Sequence, residues 1–393
     1  MYNFDQVINR KNTNSVKYDG DKMQDPQMIP MWVADMDFET LPEVKEALVK
    51  RAEHGIFGYA NPTDSYLESV VQWMHTRHDF DIEKEWIVPT PGIVTALKLA
   101  VRALTKENDH IMIMKPVYYP FDASINTNKR QIVECPLILE DGEYHCDFEL
   151  FEKTIVENDV KMFILCNPHN PTGRVWREEE LMKIAKIIEE NELWVISDEI
   201  HCDLIRTCQK HIPLGKVMPT YQKLITCMAP TKTFNLAGLM ISNVIIRDEK
   251  LRNIWLSRHY NFDNPLSIAA AQSAYAKGEE WLKELQVYLD NNFKLTQDYL
   301  KENLPQAKFR ISEATYLAWV DLSDYFEPDE NLPLFFAYRA GVLLEGGNMF
   351  VQNSDCFIRL NLACPKSILL EGLKRICEAV LTKHNEKYLG ETK

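Results

Sequence analysis

A regular alternation of helical and strand patterns between residues 92 and 229 is the feature that most constrains the fold. The segments follow one another in this order: helix 92–104, strand 110–116, strand 160–168, helix 177–192 with acidic residues at its start, strand 193–199 and strand 224–229. Strands joined through helices imply right-handed crossovers onto a shared sheet. The sequence therefore predicts an α/β fold with a mostly parallel, mixed sheet and helices on both faces.

The pattern changes after about residue 280, in a chain whose length suits about two or three domains. A long polar helix at 279–304 precedes strand-like runs at 315–322 and 356–363, and a helix follows near 366–383. We predict a smaller α+β domain at 281–393, a large domain at 46–280, and an N-terminal segment, 1–45, that joins the small domain.

Charge and cysteine usage exclude several classes of function. The formal net charge is -14 without a basic block, so nucleic acid is a poor partner. We find no secretory signal and no apolar run that could span a bilayer, and nine cysteines form no C-x-x-C pair. We expect a cytoplasmic protein that binds no membrane, with free core thiols and no metal site. His75 and His78 are predicted to be a surface pair.

Chemically useful side chains follow four of the predicted strands. They are the aromatic pair Tyr118 and Tyr119, the amide of Asn170, the carboxylate of Asp198 and the amine of Lys232. In an open parallel sheet, ligands bind outside the carboxyl ends of the strands, where such residues converge. We therefore expect these side chains to form one site.

This set of side chains suits a cofactor with a charged aromatic ring. A desolvated lysine amine is a nucleophile that can form an imine with an aldehyde such as pyridoxal phosphate. Asp198 can keep the pyridine nitrogen protonated, Asn170 can donate to the phenolic oxygen, and Tyr118 can stack on the ring. The phosphate needs backbone N–H groups at a helix start, and the sequence offers Gly92, Ile93 and Val94.

Each residue also has an ordinary structural interpretation. Asp198 can cap a helix or form a turn, and residues 170–173 can be a turn and nothing more. Tyr118 and Tyr119 can serve packing, and Lys232 can be a solvated surface lysine. The combination of all of them favours the cofactor site.

Three motifs carry a resemblance to a known family. "NPHNPTGRVW", "SDEIH" and "TKTFNLAG", in that order, resemble the fold type I pyridoxal phosphate enzymes, the aspartate aminotransferase superfamily, over nearly the whole chain. "MWVADMDF", "GYANPT" and "PVYYPF" are similar to the cystalysin and cystathionine β-lyase branch of C–S lyases.

The resemblance implies a role for each site residue. Lys232 binds the cofactor covalently, and Tyr59 reaches the phosphate of a neighbouring subunit in a homodimer. Arg359 binds the substrate α-carboxylate through a planar bidentate contact; its ordinary alternative is a surface strand arginine in a salt bridge. The other implied contacts are Thr231 and His201 with the cofactor, Asn170 with cofactor and substrate, and Ala34 with the substrate.

The sequence departs from the family pattern at several positions. Met240 stands where an arginine often neutralises the phosphate, and Ala229 stands where a hydroxyl residue is common. His201 replaces the usual tyrosine three residues after the aspartate. Residues 351 and 354 are valine and serine where relatives have a glycine-rich loop. The expected walls of the substrate pocket are Trp32, Tyr316 and the 345–355 loop.

Two reactions can use these residues. Lys232 is the expected base for the substrate Cα proton. Loss of a thiolate from Cβ would give pyruvate and ammonia, with Tyr119 as a proton donor or orienting group, whereas return of the proton to the cofactor would give transamination. We predict a C–S β-lyase that acts on cystathionine, cysteine or related conjugates. The alternatives are an aminotransferase and, less favoured, a partner-binding regulator with vestigial catalysis.

Overall fold

A computed structural model describes residues 2–23, 25–258, 263–350 and 355–391 of the chain. Its strands are β1 Ile29–Pro30, β2 Ile87–Thr90, β3 His110–Lys115, β4 Gln131–Pro136, β5 Ile138–Glu140, β6 Glu143–His145, β7 Val160–Cys166, β8 Trp194–Asp198, β9 Leu224–Met228, β10 Ser242–Ile246, β11 Leu317–Asp321, β12 Val342–Leu343, β13 Glu345–Gly346 and β14 Phe357–Asn361. Its α-helices are α1 Val16–Asp19, α2 Pro42–Glu53, α3 Asp64–His78, α4 Ile93–Leu104, α5 Pro120–Asn126, α6 Phe148–Glu157, α7 Glu178–Glu190, α8 Leu214–Val217, α9 Pro230–Thr233, α10 Glu249–Arg258, α11 Pro265–Lys277, α12 Glu279–Asn303, α13 Leu332–Ala340 and α14 Lys366–Glu391.

The central sheet has seven strands in the order β2-β10-β9-β8-β7-β3-β4. Strands β4, β3, β7, β8 and β9 run parallel to one another. Strand β10 runs antiparallel to both β9 and β2. The mixed sheet predicted from the sequence is thus confirmed. Because β10 alone reverses direction, the carboxyl ends of β2, β3, β7, β8 and β9 lie at one edge.

Apolar side chains cover both faces of this sheet. Ile111 and Ile113 of β3 pack in one buried cluster with residues of α4, while Met112 and Met114 pack in another with residues of α7. Successive strand residues point to opposite faces, which explains this division. The nearly uniform burial of β3 therefore follows from helices on both sides, as predicted.

A second, three-stranded antiparallel sheet has the order β11-β14-β13. Its buried side chains share a cluster with residues of α12, α13 and α14. Near the N-terminus, Ile29 of β1 pairs with Val342 of β12 in parallel, and Met31 joins the same cluster. These contacts favour the predicted division into 1–45, 46–280 and 281–393, which stays a prediction.

Two smaller expectations were wrong. His78 is not a surface residue: its side chain is 2% exposed, because it is held inside the protein by Asp203, whereas His75 is exposed beside Asp81. Not every cysteine is a core residue, since Cys208 is exposed; all nine are free thiols. In the described part of the chain, no helix combines the length and the apolar character that a bilayer crossing requires.

Candidate active site

Lys232 lies on a single turn of helix directly after β9. The helix α9 spans only Pro230–Thr233, so the predicted switch from strand to helix is confirmed in a shorter form. The Lys232 Nζ donates a hydrogen bond to the backbone carbonyl of Ala34, and Thr231 beside it is buried. Burial, reinforced by the nearby charge of Arg359, lowers the pKa of Lys232 to about 8. Lys232 is therefore a half-buried amine that loses its proton more readily than usual, and not a solvated surface lysine.

Asp198 ends β8 and is 3% exposed. Its Oδ1 accepts a hydrogen bond of 3.2 Å from the Ile200 N–H, so the carboxylate does form a local turn. Burial nonetheless raises the pKa of Asp198 to about 7, and the positive charge of Lys232 opposes this rise only in part. Among the described residues no cation forms an ion pair with this carboxylate, which is therefore suited to receive one from a ligand.

Asn170 and Arg359 are joined across the site by a hydrogen bond. The Arg359 Nη1 donates to Asn170 Oδ1 at 3.1 Å, although the two residues are 189 positions apart. Arg359 is 3% exposed and lies on β14, where its guanidinium also packs 4.8 Å from the centre of the Phe350 ring. It is thus a buried arginine. The alternative considered from the sequence is wrong in placing Arg359 at the surface, although Arg359 does lie on a strand and in an ion pair, with Glu345.

Tyr118 and His201 complete the buried part of the group. The pKa of Tyr118 is raised by burial, with contributions from Tyr119, Asp198 and other nearby charges. His201 is buried, and burial together with the charges of Lys232 and Arg359 lowers its pKa to about 3. Its imidazole is therefore neutral. Tyr119, by contrast, is 50% exposed.

Gly92, Ile93 and Val94 begin helix α4 at the carboxyl end of β2. Gly92 has φ +85°, a conformation that favours glycine. It precedes the twelve-residue helix α4, whose first backbone N–H groups have no partner within the helix and are available to an anion at its start. A methyl group added to Gly92 would lie 3.5 Å from Met240 Cε. Met240, which stands where the family pattern often has an arginine, therefore lies beside the residues predicted to bind the phosphate.

A buried carboxylate, Asp203, supports the Lys232 turn from behind. Its Oδ2 accepts from the Thr233 hydroxyl at 2.8 Å, and its Oδ1 accepts from Trp73 Nε1 at 3.0 Å and lies 2.9 Å from His78 Nε2. These partners keep the pKa of Asp203 below its usual value, although burial acts in the opposite direction. The sequence analysis missed this residue, although an aspartate five positions after Asp198 was a visible signal.

The expected pocket walls are partly described. Trp32 contributes its carbonyl, 3.5 Å from Arg359 Nη2, and the Tyr316 hydroxyl donates to the carbonyl of Ala34 at 2.8 Å. Within the 345–355 loop, residues 351–354, including the valine and serine noted above, lie outside the described residues. Tyr59 lies between α2 and α3 and its side chain is 81% exposed.

A separate cavity of about 700 Å³ lies between the β5–β6 hairpin and residues 308–313. Neither Lys232 nor Asp198 lines it. Its cationic side chains are paired with carboxylates, as in the contacts Arg310–Glu143 and Arg177–Glu313. The positive charges among its described lining residues are therefore neutralised by neighbouring carboxylates.

Comparison with known proteins identifies the relatives of this chain. A family model described as aminotransferase class I and II matches residues 26–380. Cystathionine beta-lyase PatB of Bacillus subtilis is 39% identical over 386 residues, covering 96% of this chain and all of that protein. The PLP-bound C-S lyase of Staphylococcus hominis has a TM-score of 0.94 at 44% identity, covering 97% of this chain and 98% of that one. Cystalysin of Treponema denticola, whose structure contains pyridoxal 5'-phosphate, has a TM-score of 0.93 at 36% identity, covering 97% and 99%.

Proposed function

The chain belongs to the class I and II aminotransferase family, and from this premise we propose that it is a pyridoxal-phosphate-dependent carbon–sulfur β-lyase. The substrate is a cysteine S-conjugate such as cystathionine, or cysteine itself, and the products are pyruvate, ammonia and a thiol. The observation that carries the proposal is the group formed by the buried residues Asp198, Asn170 and Arg359 and the half-buried Lys232. This group lies in a chain that is similar over 96–97% of its length to proteins named cystathionine beta-lyase, C-S lyase and cystalysin.

The residues present fit pyridoxal phosphate. Lys232 provides an amine whose pKa is lowered to about 8. Asp198 provides a buried carboxylate for which the described part of the chain supplies no ion pair. The start of α4 provides backbone N–H groups for the phosphate without an arginine at position 240. Asn170, Thr231, His201 and Tyr118 are the remaining proposed cofactor contacts within the subunit. The neutral imidazole of His201 adds no positive charge that would compete with the cofactor for Asp198.

Pyridoxal phosphate, when bound, supplies an electron sink for the negative charge that develops at the substrate Cα. Arg359 holds the α-carboxylate and so orients the Cα–H bond, with Asn170 and Ala34 beside it. The amine of Lys232 accepts the Cα proton. Tyr119, which is half exposed and whose ring centre lies 5.5 Å from that of Tyr118, gives a proton to the departing sulfur or orients the substrate.

We also propose a homodimer in which Tyr59 contributes to the phosphate site of the partner subunit. The support is an exposed run of large side chains, Ile56, Phe57 and Tyr59, of which Tyr59 is 81% exposed. A second subunit would cover this surface. We place the enzyme in the cytoplasm, because its cysteines are free thiols.

The test is to supply purified holoprotein with cystathionine and no keto acid. We expect pyruvate and thiol to be released together, and Lys232→Ala to lose both turnover and the visible absorbance band of the bound cofactor. Lys277→Ala, which changes an exposed lysine of α11, is the matched control and should retain both. Strict dependence of turnover on an added keto acid would instead favour an aminotransferase.

A further inference from the structure

Glu345 is paired with the arginine that is proposed to bind the substrate. It lies on β13, directly opposite Arg359 of the antiparallel strand β14. Its carboxylate forms an ion pair with Arg359 Nη2, and the exposed fractions of the two side chains are 12% and 3%. A carboxylate of the protein itself therefore contacts the guanidinium that the proposed function assigns to a substrate carboxylate.

Both terminal nitrogens of Arg359 have partners within the protein. Nη1 donates to Asn170 at 3.1 Å, while Nη2 contacts both Glu345 and the Trp32 carbonyl, the latter at 3.5 Å. Among the described residues, Nε has no hydrogen-bond partner. A guanidinium binds carboxylate through two parallel N–H groups, either from both terminal nitrogens or from Nε and one terminal nitrogen on the same side.

Nη2 is the nitrogen shared by both of these two-pronged arrangements. A substrate carboxylate that binds Arg359 through two N–H groups must therefore use the nitrogen that Glu345 already contacts. Burial raises the pKa of Glu345 even though Arg359 is beside it, so its ionised form is poorly stabilised where it lies. Lys22 and Lys232 are the other cations whose charge acts on Glu345.

We propose that Glu345 occupies the α-carboxylate position on Arg359 in the resting enzyme and is displaced when substrate binds, so that it sets the affinity for substrate. This inference rests on the proposed function, in which Arg359 is the carboxylate anchor. Glu345 acts as a built-in competitor: a ligand with a carboxylate displaces it, whereas a ligand without one leaves the Arg359–Glu345 pair intact. The pair thus lowers the affinity for ligands that carry an α-carboxylate and leaves the affinity for neutral analogues unchanged.

The experiment measures binding of 3-(methylthio)propionate to the holoprotein by calorimetry. This probe has a carboxylate and a thioether but no amine, so it cannot react with the cofactor. We expect Glu345→Gln to bind it about tenfold more tightly, because one charge-assisted contact no longer competes. Glu345→Asp, whose side chain is shorter by one methylene, should show a smaller gain in affinity. It is the second variant if Glu345→Gln does not fold.

Two controls separate competition from general effects. Glu371→Gln removes the carboxylate of another glutamate–arginine pair, Glu371–Arg375 on α14, and should leave binding unchanged. The neutral amide of the probe should gain nothing from Glu345→Gln. Unchanged or weaker binding of the acid by the folded Glu345 variants, or an equal gain for acid and amide, would overturn the proposal. Release of pyruvate is measured separately, so a failure of the β-lyase assignment is distinguishable.

Discussion

Replacing Asp198 by asparagine should make the cofactor-free protein more stable at neutral and alkaline pH. Asp198 is 3% exposed, and burial raises its pKa from 3.8 to about 7. A shift of about three units, at about 1.4 kcal/mol per unit, corresponds to about 4 kcal/mol by which the buried charge weakens the folded state. The amide of asparagine is uncharged and avoids this cost, apart from about 1 kcal/mol for an imperfectly bonded polar group.

The sign of the pH dependence follows from the direction of the shift. Because the pKa of Asp198 is higher in the folded than in the unfolded protein, the wild-type apoprotein loses stability as the pH rises from about 4 to about 7. Below that interval the carboxyl group is neutral in both states. The difference in unfolding free energy between Asp198→Asn and the wild type should therefore grow across the interval and remain constant above it.

Urea unfolding of the apoproteins over a pH series measures this difference. Asp329→Asn changes an exposed aspartate and should show no such trend. Pyridoxal phosphate should reverse the order, because it stabilises the wild type by binding to its folded form and binds less tightly to the variant. If Asp198→Asn destabilises the apoprotein at every pH, or by an amount that does not vary with pH, the reasoning from burial is refuted.

Three further predictions concern single features of the site. Arg359→Lys should raise KM for amino-acid substrates by about tenfold or more with a smaller change in kcat, since lysine cannot form the planar two-point contact; steady-state kinetics measure this. Gly173→Ala should lower the unfolding free energy by about 2–4 kcal/mol, measured with denaturant, because Gly173 has φ +66° and the added methyl would lie 2.4 Å from Ser312 Cβ. The rate at which the apoprotein captures pyridoxal phosphate should rise as the pH increases through about 8, where the Lys232 amine becomes neutral. Rapid-mixing absorbance follows it, and a flat profile would contradict the lowered pKa.

The residues that the sequence revealed are those whose position follows from strand direction. Lys232 and Asp198 each come directly after or at the end of a parallel strand, so their meeting at one sheet edge was predictable. Glu345 was assigned only to a pocket wall, because its pairing with Arg359 depends on the register between β13 and β14, which no local pattern in the sequence specifies. His78 was misjudged for a similar reason, since its partner Asp203 is 125 residues away.

Local patterns also could not show the direction of β10. Ser242–Ile246 is a buried strand close to the Lys232 turn, and nothing in its composition distinguishes an antiparallel from a parallel neighbour. The long connections between strands, more than the strands themselves, decide such pairings. The described structure was therefore needed to place Gly92 beside Met240 at the phosphate end.

The contacts of Asp203 have a consequence for how the holoenzyme assembles. Because Thr233, Trp73 and His78 all bond to this one buried carboxylate, the turn that carries Lys232 is held by side chains other than those proposed to contact the cofactor. We therefore expect the folded apoprotein to be preorganised for pyridoxal phosphate. The cofactor should bind and condense with the Lys232 amine without rearrangement of that turn.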